Sequence, residues 1–279
     1  MTDTLPVPDY ARLARVDDRG FIVAGGGQGM GRQVCHALSQ HGGRVLVLDI
    51  VSERAEAVAK EVDGIAHVGD ARVPGDVQAA VAEARREFGR LHGVVDVVGM
   101  ARWAALVDMP EEDWDWCHGE VVRHVYNFLK HAGPVMKADG GGSFAFVSSI
   151  SGLSSSPYHG AYGVAKAEVI SLVRSAAVEY KDAGIRVNAV APGGVATPRA
   201  SRSQGIPAET LADGTLGAMA ATSDIASALF FLSTDLSAHI TGQAFSVDGG
   251  DLVAYPHPIT GPSHPPGKAM GEEELGAPV

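Results

Sequence analysis

Apolar and polar residues along this chain fall into two alternating rhythms. Seven short apolar runs, at 21–24, 44–49, 65–68, 93–98, 144–147, 185–190 and 244–247, have the length and aliphatic content of buried strands. Between them, apolar positions recur at helical spacing. They predict helices from the glycine turn ending at Gly31 through about Gln40 and at 53–62, 74–88, 110–137, 158–181 and 223–233. Met30, Val34, Ala37 and Leu38 share one face of the first helix. Pro74 opens the third, and Thr222 or Ser223 caps the last. Strand and helix alternating over this length predict an α/β fold built on one doubly wound parallel sheet. The single domain is bounded at 19–250, after an arm at 1–18 and before a proline-rich tail at 251–279. The helix predicted at 158–181 is apolar almost all round, so it is buried on both sides, within one subunit or against another copy.

Composition narrows the function classes. The 279 residues suffice for one large domain with a well-buried core. A net charge of −11 with no basic run argues against nucleic acid and anionic membranes as partners. No apolar run reaches the length of a membrane span, and the first residues lack the apolar core of a signal peptide. Cys35 and Cys117 form neither a disulfide framework nor a metal motif, which suits the cytoplasm. His118, His124 and His131 are six and seven residues apart, not at a metal-pair spacing, so no metal site is expected.

Two stretches carry candidate chemistry. The first strand runs into Gly25-Gly26-Gly27-Gln28-Gly29-Met30-Gly31 and then a helix. Glycines there allow a tight turn and let a pyrophosphate approach the amides at the helix N-terminus, where the dipole favours an anion. Asp49 ends the next strand eighteen residues after Gly31, near the distance at which an acid reaches the adenosine ribose. Together they point to a dinucleotide site of Rossmann type. The second stretch holds Ser149, at the end of a strand, and Tyr162 and Lys166, four apart on one helix face. A free tyrosine, with a pKa of about 10, is a poor base near neutrality; a neighbouring ammonium favours its ionised form. A serine hydroxyl can hold a substrate oxygen opposite the phenol, so the three could move a proton to or from a carbinol. The polar segment at 196–221 follows a strand's carboxyl end and is the candidate substrate lid.

These residues resemble the short-chain dehydrogenase/reductase family of NAD(P)-dependent oxidoreductases, over about residues 12–250. Gly25, Gly29 and Gly31 match its Gly-x-x-x-Gly-x-Gly turn, and Ser149, Tyr162 and Lys166 match its catalytic trio. The run from Arg186 to Gly193, with Val195 and Thr197, matches the segment that touches the nicotinamide carboxamide and phosphates. Asp70 matches the acid beside the adenine. The resemblance implies cofactor contacts at Gly25, Gln28, Gly29, Met30, Gly31, Asp49, Asp70, Ala71, Gly99, Tyr162, Lys166, Pro192, Gly193, Val195 and Thr197. It also implies a homotetramer, or a homodimer, through the long helices. Two positions depart from the pattern. The family's Asn-Asn-Ala-Gly is here Asp96-Val97-Val98-Gly99, and Val121 stands where the family has an asparagine that helps hold a relay water.

The expectation is an oxidoreductase passing a hydride between nicotinamide and a secondary alcohol or ketone. NAD is expected over NADP, because Asp49 would repel a 2′-phosphate and Ile50 supplies no cation. The departures motivate an alternative, a non-catalytic dinucleotide-binding sensor or scaffold. A serine hydrolase is the weaker alternative, because no Gly-x-Ser-x-Gly elbow surrounds Ser149.

Overall fold

In chain order the elements are α1 (Tyr10–Leu13), β1 (Gly20–Ala24), α2 (Gly29–Gln40), β2 (Arg44–Asp49), α3 (Ser52–Glu61), β3 (Ile65–Val68), α4 (Pro74–Phe88) and β4 (Gly93–Asp96). They continue with α5 (Glu111–Val121), α6 (Arg123–Ala138), β5 (Gly142–Val147), α7 (Gly160–Tyr180) and β6 (Ile185–Pro192). The last are α8 (Pro198–Gln204), α9 (Ala208–Leu211), α10 (Thr222–Ser233) and β7 (Ala244–Val247). This is a computed structural model that describes residues 6–253. The tail read from the sequence lies outside the described residues except for its first three.

The seven strands form one parallel sheet in the order β3-β2-β1-β4-β5-β6-β7. Central strands β1, β4 and β5 are apolar and buried along nearly their whole length, because helices cover both faces, whereas edge strands β3 and β7 are partly exposed. One core holds Val77, Ala80, Phe128, Phe144, Phe146 and Val173, joining α4, α6 and α7 to the sheet. The other holds Val34, Leu38, Val58, Val95, Ile225 and Leu229 beneath α2, α3 and α10. The chain winds outward from β1 to β3, then crosses to β4 on the other side of β1. That reversal opens a crevice at the carboxyl ends of β1 and β4, where open α/β sheets bind ligands.

Several sequence-based boundaries shift. The helix expected at 110–137 is two helices joined at Val122. Adjacent β-branched Val121 and Val122 are poor helix formers at that joint. The helix expected from 158 starts at Gly160, because Tyr158 has φ +68°, in the left-handed region. β4 stops at Asp96, two residues early, where the Asp96 carboxylate accepts the Val98 N–H at 3.0 Å. β6 runs on to Pro192, paired with β7 as far as Val247. Ala221 occupies the position before α10, and Thr222 is the first helical residue rather than the cap. The 196–221 segment contains α8 and α9, and its base is closed by a bridge between Val195 and Ala220. No helix among the described residues is long and apolar enough to cross a membrane.

Candidate active site

A cavity of about 290 Å³ lies along the carboxyl ends of β1, β2 and β4. Its floor is the glycine turn. Gly25, at φ +73°, and Gly26 donate their N–H groups to the Leu48 carbonyl, folding the turn back on β2. Gly29, at φ +55°, opens α2, so the unpaired amides of that helix face the cavity end of the sheet. A Cβ at Gly31 would overlap the Gly25 carbonyl oxygen, so only glycine lets α2 start this close to the turn. Asp49 is buried; its carboxylate accepts the Gly27 and Val51 N–H groups, each at 3.0 Å.

The cavity is lined by Gly25, Gln28, Gly29, Met30, Asp49, Asp70, Ala71, Gly99 and Thr197 among the residues singled out from the sequence. Pro192, Gly193 and Val195 sit at the end of β6 and do not line it. The Gly193 N–H donates instead to the Val247 carbonyl, and Val195 bridges to Ala220 at the base of the 196–221 segment. Thr197 caps α8, its Oγ1 accepting the Ala200 N–H at 3.1 Å. The glycine turn, the helix N-terminus and the acid closing β2 fit a dinucleotide: amides face its phosphates and a carboxylate faces a ribose.

Ser149, Tyr162 and Lys166 do not themselves line the cavity; the link to it is Gly99, which lines the cavity and packs against Lys166. Ser149 follows β5 and is buried, its Oγ accepting the Ser151 N–H at 3.1 Å. Tyr162 and Lys166 stand one turn apart on α7, with Lys166 Nζ 5.6 Å from the centre of the Tyr162 ring. Lys166 is buried and donates to the Val147 carbonyl at 2.7 Å. A Cβ on Gly99 would lie 3.2 Å from Lys166 Nζ, so the turn after β4 runs directly past the ammonium. Burial lowers the Lys166 pKa to about 8, opposed by the negative charge of Asp96. Burial raises that of the Tyr162 phenol, opposed by hydrogen bonding with Ser149 and by the charge of Arg199. Arg199, which lines the cavity, adds a second positive charge that favours the ionised phenol, while Lys166 Nζ, held by the Val147 carbonyl, stays beside the Tyr162 ring. Trp103 meets the Tyr162 ring edge-on at 5.1 Å and lies 4.2 Å from the His159 ring, which walls the trio on its open side.

Charged groups that the sequence reading did not place also belong to this region. Arg72 grips the Asp70 carboxylate and pairs with Glu120, holding the Asp70 carboxyl below the usual range. Arg54 lines the Asp49 end of the cavity. Asp96, at the tip of β4, accepts a hydrogen bond from His124 Nδ1 at 2.5 Å. A charged residue in an otherwise apolar strand was the one sequence signal for this last pair; no spacing rule joins the others. Val121 is fully buried in the apolar core, so it packs against neighbours and takes no polar part.

The chain as a whole is similar to known proteins. A family profile described as enoyl-(acyl carrier protein) reductase matches residues 24–251. The chain is 31% identical over 245 residues to 3-oxoacyl-(acyl-carrier-protein) reductase FabG of Thermotoga maritima, covering 86% of this chain and 100% of that protein. It is likewise 31% identical over 265 residues to oxidoreductase UcpA of Escherichia coli K12, covering 86% and 97%. Among solved structures, a short-chain type dehydrogenase/reductase from Mycobacterium ulcerans superposes with a TM-score of 0.79 at 28% identity, over 86% of this chain and 91% of that one. The crystal structure of gox2181 gives 0.81 at 28% identity, over 88% and 100%. With a glycine turn at the sheet's switch point and this breadth of similarity, the chain belongs to the short-chain dehydrogenase/reductase family of nicotinamide-dependent oxidoreductases.

Proposed function

We propose that this protein is an NAD-preferring oxidoreductase acting on a secondary alcohol or its ketone through Ser149, Tyr162 and Lys166. The observation that carries the reading is the turn after β4, whose Gly99 lines the cavity that ends at Asp49 and packs on its other side against Lys166 Nζ. The nicotinamide, when bound, supplies or accepts the hydride. Tyr162 gives or takes the proton at the substrate oxygen, and Ser149 holds that oxygen opposite the phenol. Lys166, from within one helical turn, supports the phenolate and binds the ribose. Its ammonium is present below a pH of about 8 and fades above it, so support for the phenolate declines on the alkaline side. Among the residues that would hold the cofactor are Gly25, Gln28, Gly29, Met30 and Gly31 at the phosphates, with Asp70 and Ala71 at the adenine. Gly99, Pro192, Gly193, Val195 and Thr197 serve the nicotinamide half.

Cofactor choice turns on two opposed charges. Asp49 would repel a 2′-phosphate, and Arg54 at the same end would attract it. Asp49 is buried and fixed by two backbone N–H groups, whereas Arg54 is exposed and screened by water. The fixed, desolvated charge dominates, so NAD binds better than NADP. Asp49→Asn keeps an acceptor for the backbone while removing the charge. It is expected to narrow the NAD-over-NADP ratio by about tenfold or more in paired titrations, which one unit of charge at a desolvated site readily supplies. Tighter binding of NADP by the unmodified protein would overturn the preference.

The lid is the 196–221 segment, hinged at the Val195–Ala220 bridge and bringing Thr197 and Arg199 to the cavity. The proposed assembly is a homotetramer in the cytoplasm. Val164 and Val178 leave apolar surface exposed on α7, and Cys35 and Cys117 are free thiols in buried positions. Light scattering is expected to give four times the chain mass of 28.9 kDa; a monomer would remove the assembly from the reading.

A further inference from the structure

Asp96 and His124 form a buried polar pair in an otherwise apolar place. Each residue is only 1% exposed. His124 Nδ1 donates to Asp96 Oδ2 at 2.5 Å, and the Val98 N–H donates to Asp96 Oδ1 at 3.0 Å. His124 Nε2 is enclosed with no hydrogen-bond partner among the described residues, and so is Asn127 Oδ1, three residues on along α6. Burying such a pair with one ring nitrogen unpaired costs free energy that an apolar pair of similar volume would not. Fold stability alone therefore gives a poor account of these two side chains.

Their position supplies a better one. Asp96 is the last residue of β4, and the turn that follows brings Gly99 against Lys166 Nζ. Lys166 has a carbonyl, that of Val147, as its hydrogen-bond partner among the described residues, and no carboxylate in ion-pair contact. The negative charge that acts on it is Asp96, from across the turn. Another ionisable group near the pair is Asp70, whose carboxylate feels His124, and Tyr162 stands beside Lys166 on α7.

We propose that Asp96 and His124 are positioning residues for Lys166. The imidazole orients the Asp96 carboxylate, which in turn fixes the turn that packs against Lys166 and places a negative charge behind its enclosed ammonium. The device stands where the resemblance would place an asparagine. A neutral amide there would give Lys166 no opposing charge, so this chain has exchanged an amide for a carboxylate oriented by an imidazole. The inference rests on Lys166 serving Tyr162, but its test reads the lysine directly.

The chain has six lysines, few enough for their side-chain nitrogens to be followed by heteronuclear NMR across pH, with Lys166 assigned by its loss in Lys166→Arg. In Asp96→Asn, Lys166 is expected to titrate about one unit or more below its value in the unmodified protein, the size of effect a nearby opposite charge produces. His124→Leu leaves the carboxylate without its donor. Lys166 is then expected to move the same way, and His124→Gln, whose amide can donate again, is expected to restore most of the shift. A Lys166 titration that stays put in both Asp96→Asn and His124→Leu, with circular dichroism unchanged, would overturn the proposal. Should Asp96→Asn fail to fold, the His124 variants decide alone. A lysine that shifts as expected in a protein that turns over no alcohol or ketone would leave this inference standing and remove the function proposed above.

Discussion

Tyr162→Phe is expected to bind the dinucleotide as the unmodified protein does while turning over its substrate about a hundred- to ten-thousand-fold more slowly. The substitution keeps the ring, and with it the edge contact to Trp103 at 5.1 Å and the approach of Lys166 at 5.6 Å. Only the hydroxyl is lost, and with it the group proposed to exchange a proton with the substrate oxygen. The structure also says why this phenol needs help. Burial works against its ionised form, and Ser149 and Arg199 offset that only in part. In the proposed mechanism the lysine beside it supplies the rest. Steady-state kinetics beside a fluorescence titration of NADH separates the two effects. Undiminished turnover would move the chemistry away from Tyr162.

Gly31→Ala is expected to weaken dinucleotide binding by about a hundredfold or more and to lower the melting temperature. Helix propensity alone predicts the reverse, since alanine inside a helix is favoured over glycine by about 1 kcal/mol. Sterics decide otherwise. The added methyl would sit on the Gly25 carbonyl oxygen, and its next contacts are the Gly25 carbonyl carbon and Gly26 Cα. All three are backbone atoms that cannot rotate aside. The start of α2 must therefore move away from the turn, and its amides leave the position from which they face the phosphates. Displacements of about 1 Å at a site that depends on orientation cost effects of this size. Wild-type affinity in the NADH titration, with an unchanged melt, would contradict the assigned role of the turn.

What the sequence made legible was whatever is local along the chain. The strands at 44–49, 65–68 and 244–247 were bounded correctly because each apolar run is fenced by glycines, acids or polar turns. The glycine turn, Asp49 and the Tyr162/Lys166 spacing are each contained in one strand–turn–helix unit or one helix, so periodicity placed them together. Features built between distant segments were not legible. The break of 110–137 at Val122 leaves α5 and α6 packed differently, and His124 just after it reaches across to Asp96, twenty-eight residues earlier. Arg72 joins Asp70 to Glu120, which no motif relates. The early end of β4 has the same origin, because the Asp96 side chain takes the Val98 N–H that another strand residue would have offered to a neighbour. Tertiary partners, rather than propensity, fixed these places.

The most direct measurement follows the nicotinamide absorbance band while the unmodified protein and NAD meet a panel of secondary alcohols, and while the protein and NADH meet the corresponding ketones. The account predicts NADH formation with at least one alcohol, its consumption with the matching ketone, and loss of both signals in Tyr162→Phe. Firm NAD binding with no absorbance change on any alcohol or ketone would contradict it, and would favour a protein that binds the dinucleotide without turning it over.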